Sequence, residues 1–178
     1  MTSKNKNALP GMSGSGGDAE RSLAKWTSCN EETRVLRTRT FCKACNDSGG
    51  EIGKIVALVE NGVDINRAYG IEDARGDVWT DSPLGWAIDA KWLELVVYLI
   101  DLGVEVDVLA EHGSTPLHLA AQMGQLKIAE ALVEAGASTT KRATNGWTAA
   151  EWATRSAHPD YDGDPNKRNQ VEKFLGAP

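Results

Sequence analysis

Apolar residues in this chain recur at helical rather than alternating spacing, in short segments that end on glycine. Residues 113–136, GSTPLHLAAQMGQLKIAEALVEAG, show the pattern most regularly. Leu117, Leu119, Ala120 and Ala121 form an apolar side whose small members allow close packing. Leu126, Ile128, Ala129, Leu132 and Val133 then recur with a helical period. Thr115-Pro116 predicts the start of the first helix. A hydroxyl able to cap is followed by a residue whose fixed φ and missing N–H suit the first turn. Gly124 ends that helix and Gly136 the next, because glycine enters the left-handed C-cap conformation without steric cost. Neither helix is long enough to persist alone in water, so the unit must bury its apolar face against a neighbour.

Neighbours occur at a fixed spacing. Pro83 lies 33 residues before Pro116, within residues 80–103 (TDSPLGWAIDAKWLELVVYLIDLG), and Ala149 lies 33 after it, within residues 145–157 (NGWTAAEWATRSA). A weaker copy of the second-helix half, GEIGKIVALVENGVDIN, occupies residues 50–66. A period of 33 with TPLHLAA, a glycine, and a paired-apolar helix closed by a second glycine resembles the ankyrin repeat. The resemblance runs from about residue 41 to 175, and residues 113–136 follow the consensus almost throughout. It implies an all-α solenoid of about four helix–turn–helix repeats with short hairpin fingers, at about 41–76, 77–109, 110–142 and 143–178. Ahead of this repeat domain (41–178), residues 1–20 read as a polar, flexible tail. Residues 21–40 carry Leu23, Trp26, Val35 and Leu36, and Asn30 precedes two glutamates as a helix N-cap would. This segment reads as an N-terminal capping helix, which a solenoid needs because its end repeat has one face without a partner.

The departures from the repeat are specific. FCKACNDSGG stands in the first repeat where TPLHLAAxxG is expected, while Ile52 to Glu60 keep a regular second helix. Gly62 and Gly103 lie 41 apart, eight more than the period, so residues 68–76 form an insertion expected in the finger between repeats one and two. It is either a recognition feature or a long loop. In repeat two, Lys91 replaces the glycine that ends the first helix. The fourth repeat opens with an Asn145-Gly146 turn and a Thr148 cap. HPDYDGDPN at 158–166 then interrupts it, before Val171, Phe174 and Leu175 complete a short last helix. Trp86 and Trp152 align with Leu119 and are expected in the core, where Leu119→Ala should cost roughly 2–5 kcal/mol.

Charge and composition narrow the function. A formal net charge of −6 argues against non-specific nucleic-acid binding, which needs cations to neutralise phosphates. No apolar run reaches the length needed to cross a bilayer, and no secretory signal follows the N-terminal lysines. Three cysteines, an odd number, fit a reducing compartment, so a cytoplasmic or nuclear location is expected.

Motifs with chemical potential resolve to structure. Cys42 and Cys45 form a C-x-x-C pair, but two further ligands for a structural zinc are not close in sequence. Asp160, Asp162 and Asp164 alternate, yet Pro165 and Val171 stand where a calcium loop needs a glycine and a carboxylate. Residues 13–17, SGSGG, lack the strand before and the helix after that a phosphate loop requires. No nucleophile–base pairing can be argued from spacing, so no catalytic residue, metal or cofactor is expected. The resemblance implies that His118 ties neighbouring turns by hydrogen bonds; Gly85 and Glu151 occupy its place in the flanking repeats.

The resemblance also implies that partners meet the finger tips and the concave ends of the first helices. The matching positions here include Trp79, Asp81, Asp89, Glu111, His112, Ser114, Gln122, Met123, Asn145, Trp147 and Arg155. Exposed tryptophans grouped in this way are enriched in binding hot spots. The expected function is therefore a protein–protein interaction module, an adaptor, scaffold or inhibitor, acting as a monomer on another protein. The acidic positions suit a partner segment with Lys or Arg and an apolar anchor. The alternative is a small-molecule binder or enzyme whose groove pocket is closed by the insertions at 68–76 and 158–166.

Overall fold

The computed structural model describes residues 40, 44, 52–61, 63–67, 69–72, 78–110, 113–155 and 164–176. The expected capping helix, the tail and the C-x-x-C pair lie outside the described residues, apart from Thr40. In chain order the elements are α1 (Ile52–Glu60), β1 (Tyr69–Glu72), β2 (Val78–Asp81), α2 (Pro83–Asp89) and α3 (Leu93–Asp101). They are followed by α4 (Pro116–Gln122), α5 (Leu126–Glu134), α6 (Ala149–Arg155) and α7 (Pro165–Gly176). The helices form an all-α solenoid. In one layer α4 packs between α2 and α6, and in the other α5 packs between α3 and α7.

The layers hold together because the same positions repeat. Ala87, Ala120 and Ala153 are buried, each 33 residues from the next, and their small side chains let the first helices approach closely. Leu95 and Ile128, Val96 and Ala129, and Leu99 and Leu132 are the matching buried pairs of the second helices. Ile55 and Val59 of α1 join the same core. Leu117 is fully buried whereas Leu119 is only half-buried, so the costly truncation in this helix shifts from Leu119 to Leu117.

Polar staples fix the stacking register. The Asn66 side-chain oxygen accepts from Glu105 N–H at 2.9 Å, and the Asp107 carboxylate accepts from Ser138 N–H at 3.1 Å, one repeat further on. Gln125 donates from its side-chain amide to the Ile88 carbonyl at 2.8 Å, bridging α5 to the end of α2. The first two give loop N–H groups partners they would otherwise lack, and the third adds a second donor to a carbonyl that also accepts from Lys91 N–H at 2.9 Å.

Local breaks follow the expected chemistry. The chain turns out of α4 at Gly124, φ 67°, and out of α2 at Lys91, φ 57°, so the lysine adopts the left-handed conformation its glycine counterpart adopts freely. The insertion after repeat one extends the finger into a hairpin: β1 pairs antiparallel with β2, Tyr69 opposite Asp81 and Ile71 opposite Trp79.

Two expectations are corrected. Asp164-Pro165-Asn166, assigned to an interrupting loop, opens α7: Asp164 Oδ1 accepts from Asn166 N–H at 2.9 Å and the Asp164 carbonyl from Arg168 N–H at 3.1 Å. Proline suits a first helical position, so the last helix is 12 residues long rather than short. It lies against the turn at Gly124, where a Cβ would come within 3.0 Å of Arg168 N and Lys167 Cβ. Trp86 is buried as expected, but Trp152 is half-buried and meets His118 edge-on, with ring centroids 5.3 Å apart. Its Nε1 reaches the Asn145 side-chain oxygen at 3.4 Å, so it braces a finger at the margin of the core.

Candidate functional site

The inner helices α2, α4 and α6 begin at equivalent positions, and each solves the same capping problem with different side chains. In α4, Thr115 is the N-cap and His118 completes a reciprocal box: its Nδ1 accepts from Thr115 N–H at 3.2 Å and lies 2.8 Å from Thr115 Oγ1. With Nδ1 accepting, the proton sits on Nε2, which donates to the Trp147 carbonyl at 3.1 Å and so ties α4 to the next finger. In α6, Glu151 takes over the box, its carboxylate accepting from Thr148 N–H at 2.9 Å and from Thr148 Oγ1 at 3.2 Å. In α2, Ser82 Oγ accepts from Gly85 N–H at 3.1 Å, and the Asp81 carboxylate accepts from Ser82 N–H at 2.6 Å. That carboxylate lies over Gly85, where any Cβ would overlap it.

This arrangement places finger residue and helix end on one face. Asp81 covers Gly85, and Asp89 lies four residues further along α2, on the same helical face. The Asp89 carboxyl is raised to about 6 by burial, with the Asp81 carboxylate adding to the effect. At the equivalent positions of repeat four, the Arg155 guanidinium stands over the Trp147 ring, 5.7 Å from its centroid. Arg155 also faces the Glu151 carboxylate at 3.9 Å, and Arg142 approaches the same carboxylate at 3.3 Å. Thr148, followed by the two arginines, holds the Glu151 carboxyl below its usual range. Burial pushes the His118 imidazole below its usual value, against the Trp147 carbonyl and Asp107, which act the other way.

Ser114 and Gln122 are half-buried at the start and end of the α4 segment, equivalent to Asp81 and Asp89. Met123 is half-buried at the C-cap of α4 against the core, with its Sδ 3.3 Å from the Gln125 amide. Asn145 is committed to its turn, its side-chain oxygen accepting from Trp147 N–H at 3.0 Å. Trp79 lies on β2 opposite Ile71. Glu111 and His112 lie outside the described residues, as do Asp160, Asp162 and the rest of 156–163. Among the described residues no three His, Cys, Asp or Glu side chains are grouped as metal ligands would be. Of the two insertions expected to close a pocket, residues 69–72 of the first form β1, paired with β2, and the second contributes its last two residues, Pro165 and Asn166, to α7.

Sequence reasoning passed over Glu151, treating it as the gap in a row of histidines. The signal was present: Thr148-x-x-Glu151 is a capping-box spacing, and a glutamate can serve the cap from the histidine's position. The compensation of Gly85 by Asp81 had no such signal, because it depends on a carboxylate folding back over its own helix.

Comparison with known proteins agrees with this architecture. A probable 26S proteasome regulatory subunit p28 of Saccharomyces cerevisiae is 35% identical over 75 residues, 42% of this chain and 33% of that protein. The potassium channel AKT1 of Oryza sativa subsp. indica is 35% identical over 74 residues, 42% of this chain and 8% of the channel. The E3 ubiquitin-protein ligase hecd-1 of Caenorhabditis elegans is 31% identical over 129 residues, 72% of this chain and 4% of the ligase. The chain thus spans a third or less of these relatives. The family profile described as ankyrin repeats in three copies matches residues 41–143, more than half of the chain. With matched caps, buried alanines and staples recurring at that period, the chain belongs to the ankyrin repeat family, whose repeats generally mediate protein–protein interaction and are typically not enzymes.

Proposed function

We propose that this chain is a protein-interaction module, an adaptor, scaffold or inhibitor, that engages its partner through the inner face of the solenoid and the adjoining fingers. The observation that carries this reading is the inner face itself. Asp81, Asp89, Ser114, Gln122, Trp147 and Arg155 recur at two equivalent positions of three successive repeats, and these positions carry polar, charged or aromatic side chains. Trp79, Glu111, His112 and Asn145 belong to the proposed surface as well, together with Met123 at the C-cap of α4. Trp147 under Arg155 supplies a flat amphipathic anchor of the kind enriched at interface centres. The chain acts as a monomer on one protein partner in the cytoplasm or nucleus, a location supported by its odd number of cysteines. No described helix is long and apolar enough to cross a membrane.

The test begins with affinity purification from the native organism and mass spectrometry, followed by titration of the purified partner against the recombinant chain. Trp79→Ala with Trp147→Ala should weaken that complex at least tenfold while the helical circular dichroism signal persists. Unchanged affinity in a folded double variant would place the partner elsewhere on the molecule. Light scattering of the isolated chain checks the monomer.

A further inference from the structure

An asparagine followed by glycine puts little in the way of ring closure between its side chain and the next backbone nitrogen. Glycine carries no Cβ to hinder that nitrogen, and the asparagine amide offers a carbonyl carbon with a leaving group. Asn145-Gly146 is such a pair, in the turn of the finger that leads into α6. Both residues are exposed, and a Cβ built on Gly146 would meet nothing within 4 Å. The tip is therefore open to the water that such a reaction consumes.

The finger nevertheless holds both reacting groups. Gly146 N–H donates to the Ala143 carbonyl at 2.9 Å and closes the turn. The Asn145 side-chain oxygen accepts from Trp147 N–H at 3.0 Å and from Trp152 Nε1 at 3.4 Å. Arg142 Nη1 donates to the Gly146 carbonyl at 2.7 Å, and Arg142 pairs with Thr148 in a single antiparallel bridge. The Trp147 carbonyl takes Ala143 N–H at 3.0 Å and His118 Nε2 at 3.1 Å. Ring closure needs the Gly146 nitrogen released from its carbonyl and the Asn145 amide free to turn towards it. It therefore proceeds from the opened finger, and local opening of this kind costs less than global unfolding.

We propose that Asn145 is a site of spontaneous deamidation, gated by opening of this finger, and that the isoaspartate it yields unties repeat four from His118. Gly146 N bonds to Asn145 Cγ as the Cγ–Nδ2 bond breaks. Ammonia leaves with the proton that Gly146 N has lost, and a succinimide remains. Water then opens the ring. Cleavage between Gly146 N and Cγ restores the ordinary backbone with aspartate at position 145. Cleavage at the backbone carbonyl carbon leaves isoaspartate, whose chain runs through Cβ and Cγ. Water is the one co-reactant, and nothing is oxidised or reduced. The two products differ in consequence. Aspartate retains an oxygen for Trp147 N–H and Trp152 Nε1, so the finger closes as before. Isoaspartate lengthens the backbone by one methylene between Ala143 and Trp147. Loop length sets the turn a hairpin can form, so the turn and the Arg142–Thr148 pairing are lost, and the Trp147 carbonyl leaves His118.

The test incubates the full-length chain in neutral buffer beside a synthetic peptide of residues 141–151, KRATNGWTAAE. Peptide mapping by mass spectrometry locates the gain of about 1 Da and separates Asn145 from Asn61, which also precedes a glycine. Isoaspartyl methyltransferase with labelled S-adenosylmethionine measures the isoaspartate. Asn145 in the folded chain should convert about tenfold more slowly than in the peptide, because only the opened fraction reacts. Trp152→Phe keeps a ring against His118 but removes the donor to Asn145, and should raise the rate about threefold. Urea below the unfolding transition should raise it in wild type as well. The isoaspartate fraction, separated by ion exchange, should unfold at lower urea than fresh chain, whereas Asn145→Asp should unfold with wild type. A rate in the chain that equals the peptide's, or that neither Trp152→Phe nor urea moves, would overturn the gating. Asn145 left unaltered in chain, variant and urea, long after the peptide has converted, would overturn the site. An isoaspartate fraction as stable as fresh chain would overturn the untying of repeat four.

Discussion

His118 offers the sharpest test of how the repeats are joined, because one buried ring closes a cap in its own helix and reaches into the next finger. It is fully buried, takes Thr115 N–H and Oγ1 on one nitrogen, and donates to the Trp147 carbonyl from the other. Truncation in His118→Ala strands the Thr115 N–H, while the Trp147 carbonyl keeps the Ala143 N–H at 3.0 Å. A buried group left unsatisfied costs about 1–3 kcal/mol, and loss of the edge contact with Trp152 adds about 0.5–1.5 kcal/mol. The expected destabilisation is about 1.5–4.5 kcal/mol, a large share of the roughly 5–15 kcal/mol that holds a domain together. His118→Gln keeps an acceptor and a donor on one side chain and should recover about half of that loss. Urea unfolding followed by circular dichroism measures both.

Acidity gives a second reading of the same contact. The folded imidazole is held below its ordinary value of 6.5, so below about pH 6.5 the unfolded chain takes up a proton that the folded chain resists. Stability contributed by this group is present above that pH and is lost as pH falls towards the folded pKa. Protonation at Nδ1 would face the Thr115 N–H with another donor. Asp89 titrates with the opposite sign, its folded carboxyl gaining a proton near pH 6 while the unfolded one waits until about 3.8. The difference between wild type and His118→Gln removes the Asp89 contribution, which both share, and should narrow between pH 7.5 and 5. A difference that stays constant or widens would refute the lowered imidazole pKa.

Three further outcomes are expected. Lys91→Gly should stabilise the chain by about 0.5–1 kcal/mol in chemical denaturation, because it relieves a left-handed side-chain residue at φ 57°. Leu117→Ala should cost about 2–5 kcal/mol and clearly more than Leu119→Ala, since only the former is fully buried, and the two melting curves compare them directly. Asp89→Asn should raise stability at pH 7, by at most about 3 kcal/mol for a carboxyl held near 6 rather than 3.8, and the gain should vanish below about pH 4 in acid titrations.

Much of this molecule could be read locally. Caps, prolines, closing glycines and helical periodicity act within a few residues, so the spacing of 33 placed α2 to α6, the buried alanines and the inserted finger before any coordinates were needed. The limits of that reading lie where a residue's role depends on a partner from another repeat or on a side chain folding back. Leu119 and Trp152 share the core register of Trp86 yet are only half-buried, because register fixes direction along a helix and not how completely the next layer covers it. Asp164-Pro165 looked like a loop until it capped α7, and Glu151 looked like a missing histidine until it closed the Thr148 cap.

The contacts of the finger residues with their helices belong to the same class. Sequence alone determined that the chain is a stack of ankyrin-type repeats and which residues occupy equivalent positions, because local hydrogen bonding and apolar spacing suffice for both. Only the tertiary structure decided that Asp81 lies over Gly85 near Asp89 and that Arg155 lies over Trp147. Those pairings depend on where the fingers fold back over their helices, and no short-range rule of spacing encodes that.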